Sequence, residues 1–451
     1  MAIPLVGIVL AAGDSTRMNS KTPKVLHSLA GQPLMEYALK NVESLSPSQT
    51  YVVVGAQARE VARYVGKRAK PSLQNKRLGT GHAVSLLLSK LRTHKGHVLV
   101  HHADACLVRP QTVLALRQFH LLQAASATLL AARVDQPFGY GRIVRGAEGQ
   151  VERIVQERDA TEEERLINEI SAGVFFFKSQ DLAKALVSLK AVRTKGEFYL
   201  TDAVRQIIAQ GGKVHALMVP DRTEVLGVNN RNQLAQAHRL WNLRRVEEHQ
   251  RNGVTFLNPK AVEVGPAVEI GRDTVIEGNV RLSGETEIGE DCRIEGGSVV
   301  DSSRLGQGVV VRSSRIVGSR LGDGCDAGPF AHIRGGCALE KNVHVGTNTE
   351  LKNARIGAGS KLGHFSYAGD AVLGRNVNVG AGCVFANYDG KNKHECRVGD
   401  RAFLGSNSTL VAPVSIGPGA VVAAGAVVTR NVPAKAVVAG VPAKSLKKNN
   451  T

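Results

Sequence analysis

From Val264 to Val300 an aliphatic residue returns at every sixth position: Val264, Ile270, Ile276, Leu282, Ile288, Ile294 and Val300. Neither the period of an α-helix nor the two-residue alternation of a half-buried strand produces this spacing. The residues between are mostly Gly, Asp, Glu, Arg, Thr and Asn. A six-residue unit of this kind buries one aliphatic side chain, worth about 1.5–3 kcal/mol, while ordering its backbone costs about 1–2 kcal/mol per residue. No unit folds alone, so the units must stack, and a hexapeptide period with glycine at the corners predicts a parallel β-helix. The ladder resumes at Leu305 and Val311, passes an irregular stretch, and returns at Ile333, Leu339, Val345 and Leu351. It slips by one near Ile356, runs on through Phe385, breaks over residues 386–397 and restarts at Val398. Segments that skip the period are expected to leave the prism as loops, and loops on solenoids gather at binding faces.

At 451 residues the chain is long enough for two or three domains. The aromatic content of 4% suits the narrow interior of a β-helix. A formal charge of +19 is common in chains that bind nucleic acid, but the Lys and Arg residues are scattered, polyanionic small molecules such as nucleotides or CoA suit it equally well, and for most of these charges the expected reading is a solvated basic surface. Six cysteines with no CxxC spacing indicate neither a zinc site nor a disulfide framework. No apolar run approaches the length of a bilayer span, and no basic segment precedes the first apolar run, so a cytoplasmic protein without a membrane partner is expected.

The first half alternates strand-like runs (Leu5–Leu10, Thr50–Val54, Val98–Val100, Ala127–Val134, Gly173–Phe177) with helical ones (Leu34–Ser44, Gly81–Leu91). This pattern predicts a mostly parallel sheet covered on both faces, with ligands at the carboxyl ends of its strands. There the sequence LAAGDSTRM supplies small residues for a close backbone turn, with Arg17 and Lys24 near enough to neutralise one polyphosphate. Asp104 follows HVLV where a carboxylate could hold Mg²⁺, and GVNNR offers Asn229 as a second oxygen ligand. The run Arg231–Asn252 lacks Gly and Pro and stops at Gly253, as a long helix should. In the β-helix half, polar residues concentrate near the breaks in phase: Arg334, Lys352, His364, Tyr367, Asn378, Asn387, Tyr388 and Lys393.

These segments resemble a known family in order and spacing. LAAGDSTRM, TPKVLH, LGTGHA, GYGRI, GEFYLTD and EVLGVNNR are similar to the sugar-phosphate nucleotidylyltransferases. GPFAHIR, VGTNTELKNA, GHFSYAGDA, NVNVGAG, NYDGKNK and GSNSTLVAPV resemble the acetyltransferase half of bifunctional bacterial enzymes that make UDP-N-acetylglucosamine. The resemblance implies an α/β Rossmann-like nucleotidyltransferase domain over residues 1–228, a linker helix over 229–252, and a left-handed parallel β-helix over 253–451. The implied chemistry is acetyl transfer from acetyl-CoA to glucosamine-1-phosphate, then uridylyl transfer from UTP to N-acetylglucosamine-1-phosphate.

Carried over residue by residue, the resemblance gives Arg17 and Lys24 to the UTP phosphates and Asp104 and Asn229 to Mg²⁺. Gln74 and Gly79 would read the uracil, and Gly141, Gln156, Ser171 and Thr201 would contact the sugar. Leu10, Gly13 and Thr80 complete the implied nucleotide site. In the second half His364 would be the general base. Arg334, Lys352, Tyr367, Asn378 and Lys393 would bind the acceptor sugar phosphate, and Asn387 and Tyr388 would position sugar and amine and contact acetyl-CoA. Ser406 and Ala423 would contact acetyl-CoA, and the family's prism assembles as a homotrimer with active sites between subunits.

Several positions depart from the family's pattern. Asp14 and Ser15 stand in the phosphate loop where a second glycine is usual, and Ala103 and Cys106 flank Asp104 where Gly and Pro are usual. Arg77, Gln156 and Ser171 replace Gln, Glu and Asn. Gly440 stands where an arginine contacts CoA in some members, with Lys444, Lys447 and Lys448 nearby. These changes leave open a weakened or substrate-shifted uridylyl transfer. A related nucleotidylyltransferase using its β-helix only for assembly and a non-enzymatic basic scaffold are the other readings.

Overall fold

The computed structural model describes residues 4–13, 16–55, 58–189 and 196–446. Asp14, Ser15, Lys447 and Lys448 lie outside the described residues. The chain divides into two compact units at Trp241/Asn242.

The first unit is built on one sheet. From edge to edge its strands run Val214–Met218, Ala127–Arg133, Glu169–Lys178, His97–His102, Leu5–Ala11, Gln49–Val54 and Lys70–Leu73. All pairings along this order are parallel except those of Glu169–Lys178, which is antiparallel to both neighbours. The central strands are buried on both faces, which is why they read as unbroken apolar runs. A hairpin of Arg142–Arg145 and Val151–Val155 joins this sheet through Ile170 and Arg142. Where one helix was expected over Gly81–Leu91, two short ones form, Gly79–Ser85 and Leu88–Thr93. The Ser85 hydroxyl donates back to the Gly81 carbonyl at 2.9 Å, and such back-bonding favours bending or ending a helix there. The helix Arg231–Arg251 opens within this unit, where Leu234, Ala237, Leu240 and Trp241 pack with Leu29, Leu34, Tyr37 and Leu107.

The second unit is the left-handed parallel β-helix, with three parallel sheets forming its faces. Successive sixth-position residues fall on successive faces, so each stacks on the residue one full coil below. Ile276 pairs in register with Ile294 and then Val311, Leu282 with Val300 and Ile316, and Ile288 with Leu305 and Leu321. All seven residues of the opening ladder are buried. The later half of the long helix closes the first coil: Asn242 donates to the Val262 carbonyl at 2.6 Å, and Val246 enters the core.

One expectation is corrected. The stretch between Val311 and Ile333 is not irregular, because Ile316, Leu321 and Ala327 continue the buried ladder with two steps of five residues followed by steps of six. Inward positions are fixed by stacking on the coil below, including buried corner residues such as Val309 and Cys325, whereas the exposed corner positions absorb a missing residue. A shortened step therefore does not expel a loop. The long excursion is residues 386–397, between the strands Val384–Ala386 and Cys396–Val398, where Tyr388 bridges to Lys393. Arg334, Lys352 and His364 consequently sit at strand ends on continuous coils rather than in loops.

Candidate active sites

In the first unit, four separate segments deliver polar groups to one point beyond the strand ends. Arg17 lies on the short turn Thr16–Met18, Lys24 on Lys24–Leu26, Asp104 just after His97–His102, and Asn229 just before the long helix. The Lys24 ammonium donates to Asp104 Oδ2 at 2.5 Å and to Asn229 Oδ1 at 3.0 Å. Arg17 Nη2 donates to the same Asn229 oxygen at 3.0 Å. Lys24 is itself buried. Burial alone would raise the Asp104 pKa, but the charges of Lys24 and His102 and the hydrogen bond from Lys24 hold it below the usual carboxylate value.

Asp104 and Asn229 thus aim two oxygens at a position now taken by a cation, and Asn229 is held there by its own backbone, whose N–H donates to Gln233 Oε1 at 2.8 Å. Two oxygens converging beside a phosphate site fit Mg²⁺, which takes one or two protein ligands and completes its shell with phosphate and water. Among the described residues no group of three or more His, Cys, Asp or Glu side chains could hold a metal ion on its own.

A second wall is uncharged along most of its length. Gln74 is buried, with Nε2 donating to the Gly79 carbonyl at 3.0 Å and lying 2.9 Å from His82 Nδ1, so its carbonyl oxygen is the group left for a base edge. Gly79 adopts φ +91°, and a Cβ there would stand 2.4 Å from the Phe198 carbonyl oxygen, so the close approach admits only glycine. Thr80 Oγ1 accepts from the Leu200 N–H at 3.0 Å, which ties this turn to the helix carrying Thr201. Gln156 donates to Thr201 Oγ1 at 2.9 Å, and the Ser171 N–H donates to the Gly141 carbonyl at 2.9 Å. The Ser171 hydroxyl is buried without a protein partner, which marks a place for a ligand group. Leu10 lies next to the end of the central strand Leu5–Ala11, and Gly13 follows in open space. Gly141, Gln156, Ser171 and Thr201 are therefore brought together, and Gln74, Gly79 and Thr80 form the adjoining turn.

In the β-helix the expected residues fall on two corners. Arg334 and Lys352 end strands of the second face, stacked one coil apart. The loop 386–397 folds back over them. Lys393 approaches Lys352 closely enough to push the Lys352 pKa below the ordinary lysine value, with Arg334 adding to the effect and Asp370 opposing it. Three cations meeting at one place, with Arg334 also bound to Glu350 at 2.5 Å, suit a phosphate. Asn387 is buried and donates to Asp370 Oδ2 at 2.5 Å, and the Tyr367 hydroxyl and Asn387 amide both flank Gly369. Asp389 organises the loop, accepting from the Lys391 and Asn392 N–H groups at 2.8 and 2.7 Å and pairing with His394 at 2.7 Å. Those bonds hold its pKa well below the carboxylate range. Tyr388 is exposed, its hydroxyl donating to the Gly390 carbonyl at 2.7 Å.

His364 ends a strand of the first face, at the preceding corner, and is exposed. Ser406 and Ala423 follow strands of the same face on later coils, and Asn378 begins one. The strand between the two corners spans roughly 15 Å for about five extended residues. Within one chain the structure therefore does not bring His364 to Lys352 and Lys393.

Comparison with known proteins accounts for both units. A MobA-like NTP transferase domain matches residues 7–171, and a hexapeptide repeat of succinyl-transferase matches residues 396–430. The Bifunctional protein GlmU of Streptococcus equi subsp. zooepidemicus is 44% identical over 433 residues, covering 96% of this chain and 94% of its own. That of Enterococcus faecalis is 45% identical, over 91% and 89%. That of Geobacillus thermodenitrificans is 41% identical, over 98% and 96%. The chain belongs to the GlmU family. It is a bifunctional enzyme of UDP-N-acetylglucosamine synthesis, with a uridylyltransferase unit followed by a hexapeptide-repeat acetyltransferase unit.

Against that GlmU assignment, the sequence reading missed several supporting groups. Glu157 accepts from the Gly139 N–H at 3.0 Å and from the buried Arg142 at 2.6 Å, which fixes the Gly139–Gly141 turn. Asp370 gathers Asn387 and Asn353. Arg231 reaches the Met18 carbonyl at 3.2 Å. Each acts through a partner distant in sequence; Asp370, inside GHFSYAGDA, and Arg231, at the end of EVLGVNNR, carried a local signal, and Glu157 carried none.

Proposed function

We propose that the Arg17, Lys24, Asp104 and Asn229 cluster transfers a uridylyl group from UTP to N-acetylglucosamine-1-phosphate. The observation that carries this reading is the meeting of Arg17 and Lys24 on one Asn229 amide oxygen, with Asp104 accepting from the same Lys24 ammonium. Arg17 and Lys24 bind the triphosphate and offset charge as the sugar phosphate attacks the α-phosphorus and pyrophosphate leaves. Asp104 and Asn229 would hold Mg²⁺, which would supply further neutralisation of the triphosphate charge. Lys24 moves from these oxygens to the phosphates on binding. Gln74 and Gly79 seat the base, while Gly141, Gln156, Ser171 and Thr201 seat the sugar.

In the second unit, His364 accepts a proton from the amine of glucosamine-1-phosphate as that nitrogen attacks the acetyl-CoA thioester and the CoA thiolate leaves. Arg334, Lys352 and Lys393 bind the sugar phosphate, Tyr367, Asn378, Asn387 and Tyr388 position sugar and amine, and Ser406 and Ala423 line the acetyl-CoA path. Because His364 and the cations occupy different corners, each active site is shared between copies of a homotrimer. Exposed Phe330 and Phe365, each 64% exposed, support such packing. Both hold left-handed backbone, φ 62° and 49°, which is costly for a bulky residue. We place the enzyme in the cytoplasm: its six cysteines are unpaired, and among the described residues no helix is long and apolar enough to cross a membrane.

The test measures both half-reactions on purified protein: pyrophosphate release from UTP and N-acetylglucosamine-1-phosphate with Mg²⁺, and thiol release from acetyl-CoA and glucosamine-1-phosphate. Both proceed if the reading holds. Pyrophosphate release no faster than in Asp104→Ala, or acetyl transfer unchanged in His364→Ala, would remove the corresponding assignment.

A further inference from the structure

Arg17 and Lys24 lie on one stretch of irregular chain, residues 16–27, and nothing regular within that stretch fixes their separation. Asn229 binds both side chains directly, and bonds to the backbone and ring groups beside them come from Arg231, the first residue of the long helix. Its Nε donates to the Met18 carbonyl at 3.2 Å, and its Nη1 lies 3.4 Å from His27 Nδ1. Met18 is buried and adjoins Arg17. His27 is buried as well, and its N–H donates to the Lys24 carbonyl at 3.2 Å. Guanidinium donors therefore hold both ends of the loop, one beside each phosphate-binding cation. The other ring nitrogen of His27, Nε2, is buried without a hydrogen-bond partner, so the ring fills the loop while Arg231 anchors it. The same helix start is capped by Asn230, whose side chain accepts from the Gln233 N–H at 2.9 Å, and Gln233 in turn holds Asn229. One rigid helix terminus thus sets Asn229 directly and Arg17 and Lys24 through Arg231.

We infer that Arg231, acting with His27, is a positioning residue for uridylyl transfer that fixes the spacing of Arg17 and Lys24 without touching the nucleotide. The inference rests on the proposed uridylyl-transfer site. A planar guanidinium with several fixed donors can reach a carbonyl and an imidazole together, whereas a lysine ammonium satisfies one of them well. Misplacing a catalytic group by about 1 Å costs on the order of a hundredfold in rate.

The experiment compares Arg231→Gln, Arg231→Lys, His27→Ala and the Arg231→Gln/His27→Ala pair in the full-length chain, reading uridylyl transfer, acetyl transfer and thermal melting. The expected result for Arg231→Gln is a fall in kcat of about a hundredfold with KM for UTP changed by less than about threefold. Arg231→Lys should recover roughly a tenth of the loss on a logarithmic scale or more, and the double variant should be no slower than the worse single one. Acetyl transfer and melting should stay at wild-type values. An unchanged kcat, a rise in KM alone, additive losses in the double variant, or a parallel loss of acetyl transfer would each overturn the inference. Wild-type protein without uridylyl transfer would instead refute the underlying function, so the two failures are distinguishable.

Discussion

Lowering the pH from 7.5 to 5 should unfold the uridylyltransferase unit well before the β-helix. His101 is fully buried, with Nδ1 donating to the His102 carbonyl at 2.8 Å and Nε2 3.0 Å from the Asn41 amide, so it is neutral with no room for a second proton. His120 is buried between His97 Nδ1 at 3.0 Å and the Thr128 hydroxyl at 2.9 Å. Burial pushes His101 down to about 4 and His120 down to about 3, from an ordinary value of 6.5. A depressed histidine binds its proton more weakly when folded, so its stabilising effect is complete above pH 6.5 and is lost as pH falls towards the folded value. At pH 5 each site has lost about 1.5 pH units of that window, or about 2 kcal/mol, and the two together about 4 kcal/mol. For a unit of this size that lowers Tm by roughly 8–16 °C. Carboxylates depressed by their partners, such as Glu36 and Asp104, lose stability in the same direction. They do so mainly below about pH 4.5, so the interval from 6.5 to 5 isolates the histidines. In the β-helix unit His249 and His332 are the described histidines pushed down. The assay is thermal inactivation at each pH, with both activities read after return to pH 7.5. Uridylyl transfer should fail first at pH 5, and His120→Gln should remove about half of the pH-dependent shift. A midpoint for uridylyl transfer that moves by less than about 3 °C would refute the assignment of these sites as buried and neutral.

Other perturbations separate the two units in the same way. Lys24→Ala should lower uridylyl transfer by about 10²–10³-fold and leave acetyl transfer intact, since it removes charge stabilisation at the phosphates; steady-state rates of both reactions check this. Leu351→Ala deletes a fully buried ladder residue, should cost about 2–5 kcal/mol, and should appear as an earlier melt of the acetyltransferase unit alone. Neither His364→Ala nor Lys393→Ala should transfer acetyl groups efficiently, yet trimers mixed from the two should regain activity, because one interface then holds both intact residues. Mixed trimers no more active than either parent would place the site within one chain.

The six-residue ladder was legible because a β-helix core is one-dimensional: each inward residue contacts the coil above and below, so the fold is written in a single period. What the period could not reveal was that steps of five, at Ile316 and Leu321, are absorbed at corners. In the first unit, Lys24 and Asp104 were legible as separate phosphate and metal candidates at strand ends. Their direct pairing through Asn229 was not, since that depends on where a residue 205 positions away arrives. Buried Arg142 pairs with half-buried Glu157 beside the Gly139–Gly141 turn, and neither stands out in sequence from other surface-type charges.

The division of the acetyltransferase residues between two corners follows from the same periodicity that made the fold readable. A residue's face is set by its phase, so residues such as His364 and Lys352 cannot share a corner while the inward positions Leu362 and Leu351 keep stacking. Moving His364 across would require shifting a whole face and turning its buried residues outward, which the stacked core resists. In the proposed trimer a second copy would solve the problem without strain, because a neighbour can present its own corner to His364. In the proposed trimer Phe365, exposed and immediately beside His364, would be that packing surface, so the residue that bears the cost of a left-handed backbone would also seal the corner that carries the proposed base.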